Sequence, residues 1–240
     1  MIFINPRTDF AFKKIFGSEQ SHDILISFLN GILYTGKPIV QTLTLLQAYE
    51  VQRIRGFRSP YLYVRAKLNN GNTVVIQIQV LNFENFESRI LRNAVQASFI
   101  KFNTTQYYGN AESIIALTIT TFDLFYESGN TISRYLLDDN TYLMDYSICN
   151  LELVFVELPK FNRSLSELTN LTDYWMYFLQ HIAKLKAVPE ELSVIPEISS
   201  AFAIANRENF TDEELEEERH ELFYIYDYYG AIAKAKEQHF

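Results

Sequence analysis

Residues 60–80, PYLYVRAKLNNGNTVVIQIQV, constrain the fold more than any other stretch of the chain. Two segments alternate with a period of two, the repeat of a β-strand. The first sends Tyr61, Tyr63, Arg65 and Lys67 to one side and Leu62, Val64, Ala66 and Leu68 to the other. The second divides Thr73, Val75, Gln77 and Gln79 from Val74, Ile76, Ile78 and Val80. Between them NNGN (69–72) marks a hairpin turn, with Gly71 supplying the positive φ. Turn length sets which faces meet. A two-residue Asn70-Gly71 loop would pair Tyr63 with Ile78 and set the two alternations at odds. A three-residue loop pairs Leu68 with Asn72 and Tyr63 with Gln77. It brings both apolar rows to one face, so this register is expected.

Around the hairpin the pattern is mixed. Phe10, Phe12, Ile15 and Phe16 form a helical stripe that stops at Gly17, and Ile24, Leu25, Phe28 and Leu29 mark a second helix from about Ser21 to Leu33. Residues 45–54 read as a strand. Residues 83–102 read as an amphipathic helix, with Phe83, Phe86, Ile90, Ala94 and Ala97 on one stripe and Asn85, Arg89, Arg92, Asn93 and Gln96 beside it. SIIALTITTF (113–122) is a strand of the kind buried on both faces, and LELVFVEL (151–158) is another. Helical pattern covers 165–185, VPEELSVIPEI breaks it at two prolines, and 212–238 forms a long terminal helix. The order implies an α/β sheet with a crossover helix.

The expected division is a core over 1–160 and a helical extension packed on it over 161–240. A hydrophobic share of 48% supports a sizeable core, which the 16 Tyr and 19 Phe help to fill. Cys149 is the only cysteine, so neither an internal disulfide nor a cysteine metal cluster can form, and a reducing cytoplasm is the expected setting. MIFINPRTDF has no basic region followed by a long apolar run, and no apolar run is long enough to span a bilayer.

Net charge is −8, yet it is unevenly spread. Residues 1–110 hold 12 Lys and Arg against 6 Asp and Glu, whereas residues 111–240 hold 9 against 23. Because salt screens charges beyond about 8 Å, the local sign matters more than the total. A basic surface on an acidic protein is the result.

Most site chemistries are missing. There is no Gly-rich phosphate loop and no nucleophile elbow. His22, His181, His220 and His239 are far apart and form no metal motif. What remains is the hairpin with its two neighbouring glutamines.

Several segments together resemble the PD-(D/E)XK nuclease family transposases, also called recombination-promoting nucleases. They are RTDFAFKKIFG, FLNGIL, LYVRAKLNNGNTVVIQIQV, FESR, ITTFDLF, LELVFVELPKF and DYWMYFL, and they run in the right order over nearly the whole chain. The resemblance implies a restriction-endonuclease-like α/β fold, a mixed sheet core flanked by helices with a helical C-terminal region. In that family LDV on the first hairpin strand and IExQ on the second hold Mg²⁺ through their Asp and Glu. Such a hard cation takes carboxylate oxygens and generates the attacking hydroxide. Here LYV places Tyr63 at the Asp position and IQIQ places Gln77 at the Glu position; Gln79 matches. No Asp occurs between Asp23 and Asp123, and the glutamates in that interval are Glu50, Glu84, Glu87 and Glu112.

Tyr63, Gln77 and Gln79 are therefore expected to be vestigial catalytic positions, with no metal site and no cofactor. Arg65, Lys67, Arg89 and Arg92 are the expected DNA contacts, and Arg53, Arg55 and Arg58 lie near them in sequence. The expected function is that of an inactive nuclease-like protein that binds DNA or regulates an active relative. The partners implied are DNA, an active family member or a second copy of the chain, and no membrane. Two alternatives stand beside it. One is a Mg²⁺-dependent DNA endonuclease with its acid relocated to Glu84 or Glu87. The other is an interaction protein that uses its aromatic C-terminal helix.

Overall fold

A computed structural model of the chain describes residues 2–46, 64–81, 113–137 and 151–237. Among the described residues six strands make one mixed sheet: β1 (Leu43–Leu46), β2 (Val64–Leu68), β3 (Thr73–Gln79), β4 (Ile114–Thr120), β5 (Ile132–Leu137) and β6 (Leu151–Glu157). Their spatial order is β1-β2-β3-β4-β6-β5. The first three are antiparallel neighbours, β3, β4 and β6 run parallel, and β5 returns antiparallel at the far edge. Parallel pairing of β3 with β4 requires a crossover connection. The segment that supplies it, with the helix expected over 83–102, lies outside the described residues, as does the expected strand beyond Leu46.

One sheet face carries the main core. Val64, Ala66 and Leu68 of β2 join Val74, Ile76 and Ile78 of β3, Ile115, Leu117 and Ile119 of β4, and Val154 and Val156 of β6. Helices α1 (Asp9–Phe16), α2 (His22–Tyr34), α3 (Leu171–His181) and α5 (Pro196–Ala205) contribute to the same cluster, while α4 (Glu190–Ser193) adds Leu192. A long helix, α6 (Asp212–Glu237), closes the chain. No described helix is long and apolar enough to cross a membrane.

Local chemistry explains the helix ends. Thr8 caps α1 by accepting from the Ala11 amide, and Gly17 ends it, its own amide reaching the Lys13 carbonyl. Thr35 and Gly36 turn the chain left-handed after α2 at φ 54° and 83°. Arg134 of β5 then donates to the Ile32 and Leu33 carbonyls and satisfies the end of that helix.

Several boundaries differ from expectation. The helical stretch 165–185 is a 3-10 turn at Leu165–Glu167, then α3, then a second 3-10 turn at Ile182–Lys184. Asn170 starts α3 by capping the Asp173 amide at 3.0 Å, so the helix begins later. The two prolines do not simply break structure: Pro189 precedes α4 and Pro196 opens α5, where a missing amide costs nothing. β5 is absent from the sequence expectations. It is an edge strand with exposed Arg134, Tyr135 and Leu136, and it lacks the alternation that marks a half-buried strand.

Packing of α2 on α3 is close. A Cβ at Gly31 would stand 2.9 Å from Trp175 Cδ1 and 3.3 Å from Leu171 Cγ. Trp175 is fully buried and donates to Ser27 Oγ at 3.2 Å, which holds the indole in place. Gly31→Ala is therefore expected to destabilise the fold by about 1–3 kcal/mol through overpacking, seen as a lower urea midpoint with an unchanged slope.

Candidate functional site

The hairpin has the expected register. Val64 faces Ile76, Arg65 faces Val75, Ala66 faces Val74 and Lys67 faces Thr73. The Leu68 amide bonds the Asn72 carbonyl at 2.8 Å, and Gly71 takes φ 86° in a three-residue loop. Both apolar rows therefore point into the main core, and Arg65, Lys67, Gln77 and Gln79 share the opposite face. Arg65 is half-buried, and that burial lowers its guanidinium pKa, while Lys67 is exposed.

Parallel pairing extends this second face into a polar row. Gln77 stands beside Thr118, and Gln79 beside Thr120. Thr120 in turn stands beside Glu157 of β6. All five side chains are buried, Gln77 at 5%, Gln79 at 3% and Glu157 at 0% exposure. Toward the amino ends of the same strands the face is apolar, with Ile114, Ala116, Leu151 and Leu153 packed together. The polar groups thus gather at the carboxyl ends of the parallel strands, the end where open α/β sheets bind their ligands.

Both glutamines are held at one end of the amide. Gln77 Nε2 donates to Thr118 Oγ1 at 2.8 Å, and Gln79 Nε2 donates to the Leu81 carbonyl at 2.5 Å. Among the described residues, no hydrogen-bond donor reaches their buried Oε1 atoms. Each such atom costs about 1–3 kcal/mol, a penalty that an apolar side chain would avoid. Packing alone gives no reason for amides here.

Glu157 is in the opposite condition. Its Oε1 accepts from the Leu124 and Phe125 amides at 2.6 and 3.0 Å, and its Oε2 pairs with Lys160 Nζ at 2.8 Å. Lys160 also donates to the Phe125 carbonyl at 2.7 Å. This carboxylate pins the loop after β4 to the sheet, and its oxygens are already engaged. Among the described residues, no hydrogen-bond donor reaches the buried Oδ1 of Asp123 in that loop.

The sheet order, the flanking helices and the polar row at the hairpin define a restriction-endonuclease-like α/β fold. The chain belongs to the PD-(D/E)XK nuclease family transposases, whose family model matches residues 6–235. No curated protein and no solved structure matches it.

The family implies a divalent metal, and the described residues do not fit one. A hard cation draws its affinity from carboxylate oxygens. The hairpin offers two neutral amide oxygens, and the carboxylate in the same row is committed to Lys160 and two amides. Among the described residues no group of three or more His, Cys, Asp or Glu could hold a metal ion.

Among the site residues expected from sequence, the structure brings Gln77, Gln79, Arg65 and Lys67 to one face. Tyr63, Arg89 and Arg92, with Glu84 and Glu87, lie outside the described residues. Thr118, Thr120 and Glu157 are not legible as site residues in the sequence. The alternation of Thr118 and Thr120 in LTITT is the available signal, but β4 is buried on both faces and reads as one apolar run.

Proposed function

We propose that this nuclease-family protein no longer hydrolyses phosphodiesters and acts instead as a DNA-binding or regulatory homologue. One observation carries the reading: the two hairpin positions on β3 present buried neutral amides, and the one carboxylate in their row is consumed by an ion pair. Without negative charge at those positions, the described part of the row lacks the free carboxylate that holds a hard cation and generates hydroxide. DNA is the partner the basic first half favours, through Arg65 and Lys67 on the site face and Arg89 and Arg92 in the following segment.

The test is a titration of duplex DNA at two salt concentrations, followed by plasmid nicking with Mg²⁺. Salt-sensitive binding without nicking is the expected result. Replacing Arg89 and Arg92 by Ala should weaken binding about equally on all sequences and lower the salt slope by about one for each arginine that touches a phosphate. Nicking by the unmodified protein, abolished by Glu84→Ala or Glu87→Ala, would instead identify an endonuclease with a relocated acid.

A second reading rests on α6. Phe223, Tyr224, Tyr226 and Tyr229 are all exposed there, between 43% and 67%. Aromatic side chains of this kind anchor protein contacts. If no DNA binds at low salt, an interaction protein without a nucleic-acid role becomes the better description.

A further inference from the structure

The terminal helix α6 has two different sides. Toward the fold it sets half-buried Leu215, Leu222, Ile225, Tyr228 and Ile232, and with them Glu218, which is fully buried, accepts from the Asn5 amide at 2.8 Å and pairs with Arg207 at 2.7 Å. This side is firmly seated. At about 100° per residue, Glu216, Phe223, Gly230 and Lys234 fall in one line along the opposite side. All four are exposed; Phe223 keeps 65% of its surface in solvent, and Tyr226 beside it keeps 67%. Gly230 stands in the helix interior, where glycine costs helix stability. A Cβ there would meet nothing within 4 Å, so no described neighbour in the chain requires its absence. A bare backbone on an exposed helix face permits close approach from outside.

We propose that α6 pairs antiparallel with α6 of a second copy of the chain, Phe223 of each helix seated over Gly230 of the other. The proposal rests on the reading of α6 as a contact surface and stands whether or not DNA also binds. Charge selects both the occupant and its direction. Residues 212–221 hold seven Asp and Glu against one Arg, whereas residues 230–237 hold two Lys against one Glu. A parallel pair would set two acidic ends together. An antiparallel pair sets each acidic half against the other helix's basic end, and the backbone dipoles then oppose as well. One helix thus carries both halves of a self-complementary contact.

Seating Phe223 over Gly230 fixes the register. The two positions lie about two turns apart, so the twofold axis passes beside Tyr226 and Asp227. Lys234 then lies opposite the second copy's Glu216 and Arg219. Glu216 already pairs with Arg219 at 2.9 Å and with His220 at 3.3 Å in its own helix, so the cross-helix attraction adds modestly. At the axis the two Tyr226 rings meet on one flank and the two Asp227 carboxylates on the other. The rings add apolar contact and the carboxylates repel, which limits the strength of the pair.

Sedimentation velocity of the full chain without DNA, from low micromolar to near millimolar concentration, tests this. A reversible monomer–dimer equilibrium is expected. Phe223→Ala should weaken it by about tenfold or more. Gly230→Leu should do the same by blocking close approach, while its melting temperature does not fall, because leucine is the better helix former. Asp227→Asn should tighten the dimer by about threefold, since it removes the repulsion at the axis. Glu216→Lys should weaken it by about threefold, and adding Lys234→Glu should restore most of the loss. A chain that stays monomeric throughout overturns the second copy as the occupant of α6. If that monomer captures other proteins and Phe223→Ala abolishes the capture, α6 is still a contact surface and only the proposed partner fails. A dimer indifferent to both Phe223→Ala and Gly230→Leu overturns the proposal as well, because the copies then meet elsewhere.

Discussion

Tyr63→Asp together with Gln77→Glu is expected to make the protein's stability depend on Mg²⁺. The double change places two carboxylates where the family carries them. In chelator they repel, and the carboxylate introduced at position 77 would lie in a buried site whose present amide donates to Thr118. The melting temperature should therefore fall below that of the unmodified protein. With Mg²⁺ at about a hundred times its dissociation constant, binding to the folded state returns about 2.7 kcal/mol. For a chain of this size that is a rise of roughly 5–10 °C. Each single change should respond far less, because one carboxylate leaves the cation under-coordinated. Plasmid nicking by the double variant, in Mg²⁺ and not in chelator, is the companion readout. A melting temperature indifferent to Mg²⁺ in all three variants would mean that the hairpin is ordinary sheet and not a site that has lost its charge.

Glu157→Ala is expected to cost about 3–5 kcal/mol. The mutation removes one member of a buried pair and strands Lys160, which is only 11% exposed. It also frees the Leu124 and Phe125 amides, so the loop after β4 loses its fastening to the sheet. Chemical denaturation should show the loss as a lower midpoint. Adding Lys160→Ala should cost less than the sum of the two single changes, because the stranded charge is gone. Near-additive losses would show that the pair contributes nothing as a pair.

Much of the hairpin is legible in the amino-acid sequence. Alternation on both strands and one glycine that tolerates positive φ are enough to derive the three-residue turn and the register from Val64 to Leu68. Helices α1 and α2 are similarly legible, because Gly17 and the apolar spacing of Phe10, Phe12, Ile15 and Phe16 and of Ile24, Leu25, Phe28 and Leu29 are local signals. Strand β5 is not, since an edge strand with exposed Arg134, Tyr135 and Leu136 has no one-sided pattern to read. Pro189 and Pro196 are ambiguous for a different reason. Proline both ends one helix and begins the next, and only the following residues decide which.

The candidate site divides along the same line. Two glutamines at alternate positions, and the lack of acids near them, are facts of the chain itself, and so is the family they resemble. The polar row is not. Thr118, Thr120 and Glu157 join Gln77 and Gln79 only because β3, β4 and β6 run parallel in a particular register, and parallel neighbours are far apart in sequence. That Glu157 is occupied by Lys160 and two loop amides, and that Tyr229 closes on Val80 from a helix 149 residues away, are likewise outcomes of packing. Local periodicity determines which face a side chain takes on its own element. Which other elements share that face is decided by long-range burial, which no short stretch of sequence encodes.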